Sequence, residues 1–133
     1  MTAHLIRLLI LLWLIAGTVV PPPAGADPGR PTAVAGDRVA ITFVSDRQDN
    51  GPSTWFDALN RPRSQERTVL VEPVGAARLW TSTLVYTAVS TTLRLSATFT
   101  TTGSFARCVV TVNDELRDQH TALRSGARVT CAS

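Results

Sequence analysis

The chain has no lysine. Its 13 basic side chains are all arginine, set against 10 acids for a formal charge of +3 at pH 7. A GC-rich coding sequence accounts for that bias without any special arginine chemistry. The arginines from Arg30 to Arg128 never form a run, so the clustered positive face that nucleic acid requires is missing. Histidine is nearly as scarce, with only His4 and His120. Serine-type catalysis needs a histidine between nucleophile and carboxylate. His120 falls in a polar run expected to face solvent, and Ser125-Gly126 is not a nucleophile elbow. Adjacent carboxylates occur at Asp114-Glu115, on a turn where they diverge and stay hydrated. No glycine-rich phosphate loop is present. These absences predict a protein that is not an enzyme, with no catalytic, cofactor-binding or metal residues and no nucleic acid partner.

Cysteine is also rare, and the two that occur are well placed. Cys108-Val-Val-Thr-Val112 alternates, so Cys108, Val110 and Val112 share one face of a strand. Val129 and Cys131 alternate around Thr130 in the same way. A redox pair needs close spacing and a lowered thiol pKa, and zinc needs three or four ligands. Two thiols and His120 satisfy neither. A structural Cys108–Cys131 disulfide is expected, provided the compartment is oxidising.

The N-terminus supplies that compartment. Arg7 is followed by an uncharged run from Leu8 to Val20, closed by Pro21-Pro-Pro23, which no helix continues through. Ala24 and Ala26 then present small residues at the two positions a signal peptidase reads. Charged start, apolar middle and small-residue end describe a secretory signal peptide over residues 1–26. The run is shorter than the roughly 20 residues a membrane-spanning helix needs. The protein is therefore expected to be secreted or held in the periplasm or cell envelope after cleavage behind Ala26.

Beyond the leader the pattern is of strands. Residues 27–37, rich in Pro, Gly and Ala, read as a flexible linker. In the domain proper, residues 38–133, Val39, Ile41 and Phe43 alternate with Ala40, Thr42 and Val44. Asp46–Pro52 is turn chemistry, Ser53–Asp57 a short aromatic strand and Asn60–Gln65 a polar loop. Arg67–Glu72 reads as a strand stopped by Pro73 and Gly75. Leu79–Ala88 and Thr91–Thr101 follow, the second with Leu93, Leu95, Ala97 and Phe99 on one side. Ala106–Val112 leads to a turn at Asn113-Asp-Glu115, then Leu116–Thr121 and Ala127–Ala132. About seven or eight short strands with turn residues between them predict an all-β, antiparallel, immunoglobulin-like β-sandwich.

The stretch from Cys108 to Leu116 resembles the MmpS family, small membrane proteins that accompany the MmpL exporters of mycobacterial envelopes. The matching features are the cysteine, the alternating apolar residues and the acidic or amide turn, with the second cysteine following at Cys131. Val39–Val44 and Trp55-Phe-Asp57 match more weakly. Leu79-Trp-Thr-Ser-Thr83 is similar to the family's Leu-Pro-Trp-Ser-x-Thr, but lacks the proline before Trp80. The resemblance covers most of Val39 to Cys131. It implies an extracytoplasmic accessory domain assisting an MmpL-type transporter in moving siderophores or lipids. Family members usually keep the N-terminal helix as an anchor, whereas this leader is built for release. The alternative is a free secreted module binding a lipid, siderophore or protein.

Aromatic residues are few, 6% of the chain. Trp55, Trp80 and Tyr86 would ordinarily be core. Trp55 and Phe56 are adjacent and so point to opposite faces of their strand. An exposed ring at Trp55, Phe56 or Trp80 would suit an apolar ligand or a partner protein. Intact mass of the exported protein should show both loss of residues 1–26 and the two hydrogens missing on cystine formation. A mass retaining either would contradict the export reading.

Overall fold

The computed structural model describes residues 32–132. The leader with Ala24 and Ala26 lies outside the described residues. The strands run β1 Thr32–Ala33, β2 Arg38–Ser45, β3 Asp49–Asn50, β4 Ser53–Phe56, β5 Pro62–Gln65, β6 Thr68–Val69 and β7 Glu72–Val74. After a short 3-10 turn at Gly75–Ala77 come β8 Leu79–Thr87, β9 Leu93–Arg94, β10 Ala97–Thr100, β11 Ala106–Val112, β12 Glu115–Ala122 and β13 Arg128–Cys131. A five-stranded sheet has the order β12-β11-β2-β8-β7, and a four-stranded sheet the order β13-β10-β4-β5. Two small ladders, β1-β9 and β3-β6, close the corners. Every pairing is antiparallel, as expected of an all-β chain.

The period-two pattern fixes which faces meet. On β2, Val39, Ile41 and Phe43 are buried; opposite them on β11 stand Val112, Val110 and Cys108. The four-stranded sheet contributes Ala97, Phe99, Val129 and Cys131, all buried. Phe43 and Phe99 stack across the core with ring centroids 4.9 Å apart and planes within 13°. Burying each large apolar side chain is worth roughly 1.5–3 kcal/mol. Cys108 on one sheet is bonded to Cys131 on the other, with Cα atoms 6.1 Å apart. Between β11 and β12, Asn113 and Asp114 both take positive φ, 51° and 66°, as a two-residue type I′ hairpin requires. Asn113 Oδ1 also accepts the Arg38 N–H at 2.9 Å, tying this turn to the start of β2.

Several segments differ from the expectation. Strand pairing reaches into the stretch read as a linker, because Thr32–Ala33 pairs with β9 and Ala33 is buried. A two-residue strand leaves no periodicity to read. Asp46–Pro52 is not all turn, since Asp49–Asn50 pairs with Thr68–Val69. Asn60–Gln65 is not all loop either: Pro62–Gln65 is an edge strand, exposed throughout and hence without alternation. Pro73 does not end a strand but sits within β7, at the sheet edge where a missing N–H is tolerated. Thr91–Thr101 is divided between two ladders, β9 pairing with β1 and β10 with β4 and β13.

Buried polar groups hold the β2 exit. Ser45, Asn50 and Thr101 are all buried. The Ser45 hydroxyl donates to Asn50 Oδ1 at 2.9 Å and hydrogen-bonds Thr101 Oγ1 at 2.7 Å. Asn50 Nδ2 donates to the Arg47 carbonyl at 2.8 Å. Nearby, the Asp46 carboxylate accepts the N–H groups of Ser104 at 3.0 Å and Phe105 at 3.2 Å. A Cβ on Gly103 would fall 2.1 Å from Asp46 Oδ1, so only glycine fits. In urea unfolding, replacing both cysteines by alanine should lower stability by about 3 kcal/mol from loop-closure entropy. Gly103→Ala should cost about 1–3 kcal/mol by overpacking. Unchanged midpoints would contradict these assignments.

Candidate functional site

The β4–β5 hairpin carries the candidate contact residues. Its turn is organised by Asp57, whose Oδ1 accepts the N–H of Leu59 and of Arg61, each at 3.0 Å. Asn60 takes φ 58° there. The Arg61 N–H, then that of Leu59 and the nearby Arg61 and Arg63 guanidinium groups, hold the Asp57 carboxyl below its ordinary range. Arg61 and Arg63 approach its Oδ2 at 3.4 and 3.7 Å.

Alternation along β4 separates the two rings. Ser53 and Trp55 turn toward the core, while Thr54 faces outward and bonds Thr98 across the strand pair at 2.6 Å. Trp55 is half-buried, packed on the core at one edge and opposite Arg63. With Pro62, Arg63, Ser64 and Gln65 it lines an open cleft of about 410 Å³. Gln65 Nε2 donates to Ser53 Oγ at 3.0 Å, which fixes the inner end of β5. Phe56, on the opposite face, lies under the Arg94 guanidinium, 5.7 Å from the ring centroid. Such a cation over an aromatic face contributes roughly 0.5–1 kcal/mol where exposed.

Trp80 is elsewhere. It stands on β8 of the other sheet, between Ser45 and Pro73, half-buried against the core. The cleft is formed around Trp55 and does not include Trp80 or Phe56 in its lining. An exposed edge strand looks like a loop in sequence, which hides the place of Arg63 and Gln65. Their one signal is the turn-forming Asp57-Ala-Leu-Asn60 before them, which fits a hairpin returning from β4.

Tyr86 ties the two sheets at this edge. Its hydroxyl donates to the Phe56 carbonyl at 2.6 Å, from β8 to β4. Burial, with the Asp57 carboxylate nearby, pushes its pKa from 10.0 to about 12. His120 lies on β12, at the far edge of the five-stranded sheet, exposed and 3.2 Å from Asp118 Oδ1. Asp118 Oδ2 accepts the Ala132 N–H at 2.6 Å. Asp114 is also exposed and pairs with Arg38 at 2.9 Å. Among the described residues no three His, Cys, Asp or Glu side chains gather as metal ligands. A half-buried indole beside a guanidinium and an amide can hold an apolar surface next to an anionic or hydroxylated group.

Comparison with protein-family models, with curated proteins and with solved structures found no match to this chain.

Tyr86 is the only tyrosine in the sequence, so its titration can be followed without interference. Because the folded value is raised, the neutral phenol favours the folded state fully below about pH 10. That contribution is lost as pH rises toward about 12. Tyrosinate absorbance of the folded protein should therefore appear later than that of the urea-unfolded chain. Tyr86→Phe, which removes the bond to Phe56, should cost about 1 kcal/mol and weaken this alkaline loss. Coincident titrations of folded and unfolded protein would refute the burial of the hydroxyl.

Proposed function

We propose that this chain is an exported, non-enzymatic binding module that assists an MmpL-type membrane transporter in moving a lipid or siderophore across the cell envelope. The observation carrying this reading is the open cleft of about 410 Å³ in which the Trp55 ring meets Arg63 and Gln65. Its lining is mainly polar: the guanidinium and amide would take acidic or hydroxylated oxygens, and the indole would add a small apolar contact. The cystine between Cys108 and Cys131 is consistent with an oxidising compartment. The facing sheets joined by that bond are read here as an immunoglobulin-like sandwich, the architecture the MmpS resemblance implies. Trp80 and Phe56 would serve as secondary contacts on separate faces.

A second reading is favoured by the leader, whose short apolar run and Ala24-Gly-Ala26 suit release. In that case the same cleft works in a free secreted module, without a transporter.

Titration of the purified protein with siderophores or lipids, followed by tryptophan fluorescence, separates binding from no binding. Saturable binding that Trp55→Ala and Arg63→Gln each weaken about tenfold, or roughly 1.4 kcal/mol, is the expected outcome. A flat titration sinks both readings. Co-purification with a transporter from envelope membranes then selects the first, and its absence alongside ligand binding selects the second.

A further inference from the structure

Sheet edges carry unpaired N–H and C=O groups, and natural proteins guard them with charge, proline or short length. Three of the edges here follow that rule. β12 carries Glu115, Arg117, Asp118 and His120, β5 carries Pro62 and Arg63, and β7 carries Glu72 and Pro73. The exception lies within β8. Its partner β7 covers only Leu79, Trp80 and Thr81, and Val71 bonds to Ser82, so the side away from β2 is open from Thr83 to Thr87 among the described residues. The whole strand, LWTSTLVYT, has no charged residue and no proline. Val85 is 51% exposed, and Val71 and Val89, at the two ends of the open stretch, are 65% and 62% exposed.

Backbone direction along this edge is determined by its neighbours. Just after β8, Ala88 turns its N–H to the Asp37 carbonyl and its C=O to the Gly36 N–H, both at 2.8 Å, on the β2 side. Antiparallel strands alternate the direction of these groups residue by residue. Positions 82, 84 and 86 therefore bond toward β2, and Thr83, Val85 and Thr87 point theirs outward. Pro73 agrees, because it stands opposite Trp80, a position that asks no N–H of its partner.

We propose that a second copy of this chain occupies the edge, through antiparallel pairing of β8 with itself about a two-fold axis at Val85. That register sets Val85 against Val85 of the second copy, Leu84 against Tyr86 and Thr83 against Thr87. Each residue stays on its own face of the sheet, and all three outward-pointing residues exchange both backbone groups. A register centred on Leu84 would use only Thr83 and Val85 of the three outward-pointing residues. Self-pairing sets the strand against its own sequence, so it suits an edge without charge, where no like charges oppose each other. An oppositely charged partner has nothing to recognise there. The N-terminal segment of the same chain is poorly suited as a strand, since Pro21, Pro22, Pro23, Pro28 and Pro31 all lack the N–H a ladder needs. The pairing leaves the Trp55 cleft, built on the other sheet, independent of the dimer.

Sedimentation equilibrium of the protein as its host exports it should show a reversible, concentration-dependent dimer. Val85→Lys and Val85→Glu should each raise the dimer dissociation constant at least about tenfold. Mixing the two variants should restore association, as lysine then faces glutamate. Leu123→Lys, on an exposed turn remote from β8, should leave the dimer unchanged. If the variants fail to fold, hydrogen exchange on the unmodified protein decides: the amides of Thr83, Val85 and Thr87 should gain protection as concentration rises. A monomer up to millimolar concentration, a dimer indifferent to Val85→Lys, a mixture that does not associate, or protection independent of concentration would each overturn the proposal.

Discussion

The body of this protein depends on two sheets being held at one separation over a buried apolar core. Phe43 on Phe99 and Cys108 bonded to Cys131 cross that interior side by side in sequence register, because Phe43 and Cys108 are direct neighbours on β2 and β11. The stack acts through buried area and the cystine through restriction of the unfolded chain. Their effects reinforce each other: packing holds the thiols within bonding distance, and the bond prevents the sheets from sliding. A small domain with few aromatic residues has limited area to bury, so a covalent link supplies a useful share of its stability.

Polar groups take over where apolar side chains run out. At one end of β2, Ser45, Asn50 and Thr101 satisfy one another in a buried cluster, and Asp46 holds the backbone that follows Gly103. At the other end Asn113 and Asp37 are joined at 2.9 Å, fixing the hairpin against the entry to β2. The Tyr86 hydroxyl bridges to the Phe56 carbonyl along the β8 side. Each arrangement pins a loop or a sheet corner whose backbone would otherwise need solvent. The candidate cleft is opened beside this framework rather than within it.

How much of this was legible follows from what each strand buries. β2 and β11 bury every second side chain against the core, and that alternation marks their bounds almost to the residue. A hairpin turn at Asn113-Asp-Glu115 is equally readable, since Asn and Asp tolerate positive φ, but its two-residue type I′ form is not, as Glu115 already belongs to β12. β5 buries nothing, so Pro62-Arg-Ser-Gln65 carried no pattern and the cleft wall it forms went unseen. Leu93 to Phe99 showed clean alternation because all four apolar residues do face the core. The change of partner between β9 and β10 is a property of the backbone path, which side-chain pattern does not encode. Trp55 was singled out as a ring, but its neighbours Arg63 and Gln65 depend on a hairpin register that only the fold supplies.

The position of the cystine also governs how the molecule responds to force. Cys108 and Cys131 are separated by 23 positions, and the strand β12 and both its turns lie between them. Tension applied from the two ends of the chain bypasses that closed ring. Residues before Cys108 can be drawn out, while the enclosed hairpin adds no contour length until the sulfur–sulfur bond is reduced. Under such load the last quarter of the chain would stay closed, and the bond would act as a mechanical stop.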